Sequence, residues 1–443
     1  MNDKNEISEI IDKSLFLTGA GFSVSAGTLT SIQMFDDLKK KIFDENSQIL
    51  SPVQKETLKF LISCLKYHSE WRTMETANNF QFAPNIEELA LLIRRVRNRE
   101  NFLPYPITGN WADKLVQLES DYLNESIENE NLFDSLELIL KNLLKDEWLR
   151  ISDDGKLDYL KPLAEFLKSY TSEAFRFNIF TLNYDTVVEQ FFEKEGEVPW
   201  RGFSNGHWLD IDPDEKNDPN ARINLYKLHG SVDWVRLTDM DTWEVSKLDD
   251  GEKEEQEKQR LLDNIEEKHN PYLIFGQGTK SFSVEPFFSL IHHFNKSLNS
   301  KEKRYFFVLG YSFFDPYINN LLFNAIKGFK KLIIVNPSFG PEELYEIDNA
   351  TGWPKSDPEN HYRVIYKEGF NKGDLTDFMR EIQKNSFYSE MPEFNYLSLS
   401  AENIDYIPLT TDKFLEKYFS DKGKLLKEFI EEFETQLKEE EPF

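Results

Sequence analysis

Cysteine is almost missing from this 443-residue chain: Cys64 is its one thiol. A single cysteine excludes an internal disulfide and a four-cysteine zinc site alike. Basic residues are also short, with 52 Lys and Arg against 79 Asp and Glu and a formal net charge of −27. A surface this acidic repels phosphate backbones, so the chain is not expected to bind nucleic acid directly; the charge reads as a solubility device. No apolar run approaches the length needed to span a bilayer, and the opening residues, MNDKNEISEI, lack the apolar core of a signal peptide. These absences together lead to the expectation of a cytoplasmic, reducing location.

What is present is enough for a well-buried core in two or three domains: 40% of residues are hydrophobic, and 37 are Phe. Six short β-branched and aromatic runs, each followed by a turn signal, read as strands: Ser14–Thr18, Phe177–Thr181, Leu225–Leu228, Tyr272–Phe275, Tyr305–Leu309 and Leu332–Val335. Most are apolar without alternation, which suits strands buried on both faces of a parallel sheet, and helical patterns lie between several of them. The fold class is therefore α/β.

The first two runs lie about 160 residues apart, far too long for a loop. Leu132, Leu136, Ile139, Leu140 and Leu143 form one helical stripe in that gap, and Leu58, Leu61, Ile62 and Leu65 form another that contains Cys64. Cys64 is accordingly expected to be a buried structural thiol. The gap reads as an all-helical insertion over 31–165, which splits the α/β domain into 1–30 and 166–372. The charge run Asp249–Arg260 reads as solvated. From about Gly373 the sheet pattern stops, and Leu426, Ile430, Phe433 and Leu437 mark an amphipathic helix, so 373–443 reads as a C-terminal helical extension.

Five segments at strand ends carry the chemistry. Gly19-Ala20-Gly21-Phe22-Ser23-Val24-Ser25-Ala26-Gly27 follows the first run. Paired glycines let a backbone approach a diphosphate, and a following helix would aim its N–H groups at the anion. Val24 stands where the G-x-G-x-x-G fingerprint has its third glycine, and a ligand-free turn is the alternative. Thr181-Leu182-Asn183-Tyr184-Asp185 follows the second run. Asn183 offers a donor and an acceptor to a ribose hydroxyl or a water, and Asp185 reads as a helix cap. Leu228-His229-Gly230-Ser231 places a histidine at a strand end, either as a proton acceptor facing a cleft or as a satisfied structural residue. Gly310-Tyr311-Ser312 with Asp315, and Val335-Asn336-Pro337, are placed to meet phosphate or the adenosine ribose, or else are plain turn chemistry. His292 and His293 are adjacent and make a poor metal pair. Trp200, Trp208 and Trp234 read as core.

In this order the segments GAGFSVSAG, TLNYD, LHGS, GYSFFD and VNP resemble the sirtuin superfamily, and Asn85-Ile86-Glu87-Glu88-Leu89 looks like an N-x-E-x-L segment of the same branch. Deacylating sirtuins carry a zinc ribbon held by four cysteines, which this chain cannot build. The resemblance therefore points to the sirtuin-like NAD hydrolases of bacterial anti-phage systems. It implies a Rossmann-like, mostly parallel sheet of about six strands and a catalytic pair of Asn183 and His229. It also implies NAD contacts at Gly19, Ala20, Gly21, Ser23, Gly310, Ser312 and Asn336, with Asp315 ordering the loop around Gly310 and Ser312.

The activity so implied is an NAD+ glycohydrolase that releases nicotinamide and ADP-ribose, with NAD+ as substrate, no further cofactor and no metal. Nicotinamide is already a cationic leaving group, so paired carboxylates of the ordinary glycosidase kind are not required. The alternatives are an NAD-dependent protein deacylase and a non-catalytic NAD or ADP-ribose sensor. The resemblance further implies a homo-oligomer and a partner of ATPase or Argonaute type. It also implies a resting state held by the insertion, the C-terminal segment or a subunit interface.

Overall fold

Leu15–Thr18 is buried at all four positions, and the runs that lie beside it are buried almost throughout. Strands with no solvent face need neighbours on both edges and layers on both sides. In the computed structural model they obtain both. The structure describes residues 14–75, 84–98, 111–125, 131–169, 176–204, 207–208, 221–236, 243–245, 271–275, 285–300, 305–313, 315–325, 328–337, 404–407 and 409–440. Within these, strands β1 (Leu15–Thr18), β2 (Phe177–Thr181), β3 (Ile223–Lys227), β4 (Tyr305–Leu309), β5 (Lys331–Val335) and β6 (Ile404–Ile407) form one sheet. Every pairing is parallel, and the spatial order is β6-β5-β4-β1-β2-β3. This is the order of the doubly wound dinucleotide folds, and the chain reverses direction across the sheet between β1 and β4. A crevice opens at the carboxyl ends of those two strands.

The α/β fold with a mostly parallel sheet is as expected, but two of its strands differ from the reading of the runs. Tyr272–Phe275 is not a strand of this sheet; Leu273 makes a lone antiparallel bridge to Gly230. Its burial comes from clamping a loop. The sixth place belongs to Ile404–Ile407, in the stretch where the sheet pattern was expected to stop. This edge strand pairs on one side only, and its sequence IDYI places Asp405 among apolar residues, so no unbroken apolar run marks it.

Side chains alternate between two cores. Phe16, Phe177, Ile179, Leu225 and Phe307 point to one face, where they meet α6 (Lys161–Ser169), α7 (Val187–Lys194) and the first part of α10 (Thr411–Glu440). Leu15, Leu17, Phe180, Tyr226 and Val308 point to the other, against α8 (Phe287–Leu298) and α9 (Pro316–Ala325). The helix α10 is broken at Ser420–Gly423, where Gly423 has φ +72 and a Cβ would lie 2.5 Å from the Phe166 ring. Leu426 and Ile430 beyond the break are buried on the sheet side, while the side chains of Phe433 and Leu437 lie outside the described residues.

Between β1 and β2 stand α1 (Ser31–Phe43), α2 (Pro52–Glu75), α3 (Ile86–Asn98), α4 (Trp111–Glu125) and α5 (Leu132–Leu143). They share a third core that includes both predicted stripes and Cys64, whose thiol burial pushes up to about 12. Tyr184, Leu273 and Phe275 from the sheet's side reach into this core. The helical segment α6 straddles the boundary expected at 165/166 and packs on the sheet. His292 is exposed and His293 buried on α8, and Trp200, Trp208 and Trp234 are all buried. The charge run 249–260 lies outside the described residues. No helix among the described residues is long and apolar enough to cross a membrane.

Phe16 sits 4.3 Å from the Phe177 ring and 4.7 Å from that of Phe307. Truncation there opens a void at the centre of the sheet. Phe16→Ala is expected to cost about 3–5 kcal/mol in unfolding free energy, read from denaturant titration.

Candidate active site

The site begins with two turns that touch. Gly19 N donates to Leu309 O at 3.0 Å, and Gly21 N donates to Gly310 O at 2.9 Å. Gly310 has φ +64, and a Cβ on it would lie 2.4 Å from Gly21 C and Phe22 N. A Cβ on Gly21 would lie 2.9 Å from Gly310 Cα, and one on Gly19 2.7 Å from Tyr311 Cα. These glycines therefore let the turns after β1 and β4 close on each other, backbone against backbone.

The helix expected directly after the first turn is only Ala20–Ser23, followed by a 3-10 turn at Val24–Ala26. Gly27, with φ +91, ends it, and the first long helix starts at Ser31 behind a Thr30–Gln33 capping box. The N–H groups of Gly19, Gly21 and Phe22 all donate to protein carbonyls. Ala20, Val24 and Gly27 are the exposed residues of the turn.

Ser23 is buried behind this turn and links two other segments. Asn183 Nδ2 donates to Ser23 Oγ at 3.0 Å, and Ser23 in turn bonds the Asp185 carboxylate. Burial pushes Asp185 above the usual carboxylate range, while Lys227 opposes the rise, and its Oδ1 accepts from Val187 N at the start of α7. The predicted capping role of Asp185 thus sits beside a second one, as an anchor for Ser23.

His229 follows β3 by two residues, and three contacts hold its loop. Leu228 N donates to Thr181 O at 2.9 Å, Val232 N donates to Tyr184 O at 2.9 Å, and Ile274 N donates to His229 O at 2.8 Å. Gly230 has φ +85, and a Cβ there would lie 2.6 Å from Tyr272 O. The 272–275 segment is thus the strap that sets the histidine loop, and its Phe275 faces the cleft. The imidazole Nε2 lies 3.1 Å from Asp315 Oδ2. The other Asp315 oxygen accepts from Tyr317 N at 2.9 Å and Ile318 N at 3.1 Å, so one carboxylate caps α9 and faces the imidazole.

Gly19, Ala20, Asn183, His229, Ser312 and Asp315 line a single cleft at the crevice between β1 and β4. Gly21, Ser23, Gly310 and Asn336 lie behind the lining. Asn336 is buried and its Nδ2 donates to Tyr311 O at 3.0 Å, so it fixes the Gly310–Ser312 turn from beneath.

The sequence reading missed two contributors. Lys227 is fully buried; its Nζ donates to Asp185 O and, at 2.9 Å, to Glu189 Oε1. Arg201 joins the cluster, 2.7 Å from Asp233 and 3.7 Å from Glu189. The only cue was a lysine inside an otherwise apolar strand run. The second is Glu87, which enters the cleft from the first turn of α3. Burial raises its carboxyl to about 7, Asp315 and Glu88 add to the rise, and His229 opposes it. The NIEEL segment was visible as a motif, with Asn85 Oδ1 accepting from Glu88 N at 3.0 Å, but nothing in it indicated what the glutamate faces.

The strand order and the cleft at its reversal define a dinucleotide-binding α/β architecture. The SIR2-like domain model matches residues 178–346. That match supports membership of the sirtuin-like superfamily and a sirtuin-related, NAD-dependent function. It takes in Asn183, His229, Gly310, Ser312, Asp315 and Asn336, while the Gly19–Gly27 turn lies before it, across the helical insertion. No curated protein matches the chain.

Removing the Lys227 charge leaves Glu189 buried with only the longer contact to Arg201. Lys227→Met is expected to destabilise the fold by about 3 kcal/mol, measured by chemical denaturation, and Glu189→Leu on the same background to restore part of it.

Proposed function

We propose that this protein is an NAD+ glycohydrolase, cleaving the nicotinamide–ribose bond to release nicotinamide and ADP-ribose. The observation that carries the reading is the convergence of Asn183 and His229 on one cleft whose floor is the Gly19–Ala20 turn. These residues come from three strands and meet only in the folded chain.

In this reading Asn183, held by Ser23, orients the ribose and the attacking water. The C1′–N bond breaks and its electron pair leaves with nicotinamide, which becomes neutral. The water oxygen bonds to C1′ and its proton passes to His229. Asp315, 3.1 Å from the imidazole, supports the imidazolium that results. Chemically the leaving group needs no proton, so the site's work lies in orientation and in supporting positive charge.

The cleft walls come partly from the insertion: Met34 of α1 and Glu87 of α3 line it beside the catalytic pair. A movement of that helical unit would open or close the site. With the sequence resemblance, this leads us to read the protein as a regulated effector of the anti-phage kind, held at rest until an oligomer or a partner of ATPase or Argonaute type repositions the insertion.

Incubation of the purified full chain with NAD+ and chromatography of the products is expected to show nicotinamide and ADP-ribose in equal amounts. Asn183→Ala and His229→Ala are each expected to lower the rate by at least roughly 100-fold with the fold intact by circular dichroism. Full activity in both variants would remove the assignment. Formation of O-acyl-ADP-ribose from an acylated peptide would point to a deacylase.

A further inference from the structure

A carboxyl group reaches the cleft from outside the α/β domain. Glu87 is the second residue of α3, anchored by Ile86 and Leu89, both buried in the core of the helical insertion. A glutamate in a helix's first turn is favoured by the dipole, and on an exposed surface that would be sufficient reason for it. Glu87, however, is only partly exposed and lines the cleft that His229 and Asp315 share, within reach of both charges.

The charges around it share one sign. Asp315 at the start of α9 and Glu88 on its own helix are acidic, and Tyr311 after β4 feels the same field. Asp185, at the end of the β2 segment, lines the cleft as well. Among the described lining residues there is no Lys or Arg, and His229 is the one basic side chain. The cleft is therefore built to favour positive charge in its interior. Burying a carboxylate in such a place opposes folding, because the charged form loses water without gaining a permanent cation.

Resting on the glycohydrolase reading, we propose that Glu87 is a positioning residue for the reaction. Its carboxylate, delivered by the helical insertion, acts with Asp315 to stabilise the His229 imidazolium and the positive charge that gathers on the ribose. Two carboxylates from separate units then flank one imidazole. The Asp315 side is fixed within the α/β domain by the cap of α9. The Glu87 side comes from the first turn of α3, so it is present only while the insertion is docked.

The test uses the full chain and the isosteric variant Glu87→Gln. In carbon-detected NMR the Glu87 carboxyl, assigned by comparison with Glu87→Gln, is expected to titrate at about 7 in the wild type and at higher pH in His229→Ala, where the opposing imidazole is gone. With NAD+ the plateau rate of Glu87→Gln is expected to fall roughly tenfold with little change in KM, and the acid limb of its rate profile to move to lower pH. A purely structural role would lower the rate without moving that limb.

Stability supplies a further sign. With Glu87 at about 7 in the folded chain, above the usual 4.5, the folded state holds the extra proton between those values. Its contribution to stability is present at low pH and is lost as pH rises through about 7. Glu87→Gln is thus expected to melt no lower than wild type at pH 8. A Glu87 titration unmoved in His229→Ala, or a Glu87→Gln variant clearly less stable at pH 8, overturns the inference. A wild type that releases no nicotinamide overturns the glycohydrolase reading alone, since the Glu87 titration reports the pairing without any turnover.

Discussion

The closure of two turns on each other is the contact from which the site follows. Gly21 and Gly310 meet backbone to backbone at the reversal point of the sheet, and the five strand-end segments gather around that junction. Were the turns held apart by even one methyl group, β1 and β4 could not both end at the same height, and Ser312 and Asp315 would leave the cleft that Asn183 and His229 share. Glycine at these positions answers first to the protein's own packing. Of this turn, Gly19 and Ala20 line the cleft.

Around this junction the polar groups are arranged in depth. Ser23 holds Asn183 and Asp185, Asn336 holds the carbonyl of Tyr311, and Asp315 divides its two oxygens between a helix end and an imidazole. Lys227 pins the backbone of Asp185 from below. Asn183, Asp185 and Tyr311, which line the cleft, are thus each backed by a buried residue that fixes their direction, the arrangement a preorganised site requires.

Much of this was legible in the chain because parallel sheets place functional residues at strand ends. The runs before Gly19, Asn183, His229, Gly310 and Asn336 are apolar enough to announce strands, and the motifs follow them directly. What escaped has physical reasons. The Tyr272–Phe275 run is as buried as a strand, but its burial comes from strapping Gly230 rather than from joining a sheet. Ile404–Ile407 is a true strand at an edge, where one neighbour suffices and the apolar run is interrupted by Asp405. Ser23 and Asn336 were read as facing a ligand because sequence shows residue type, not whether a side chain points outward or back into the protein. Glu87 could not be assigned at all, because its neighbours His229 and Asp315 come from distant parts of the chain.

The sheet's arrangement also has a consequence for biogenesis. Of the described sheet strands, β1 is made before the others and ends in the middle, and neither β2 nor β4 exists until well over a hundred further residues have been made. During that interval its apolar side chains must wait unpaired while the helices that follow can already assemble by local contacts. The nascent chain therefore carries a finished helical body behind an unmatched ribbon. Translation speed through the middle of the message and the attention of holdase chaperones would then matter more for this protein than for one whose strands pair in the order they are made.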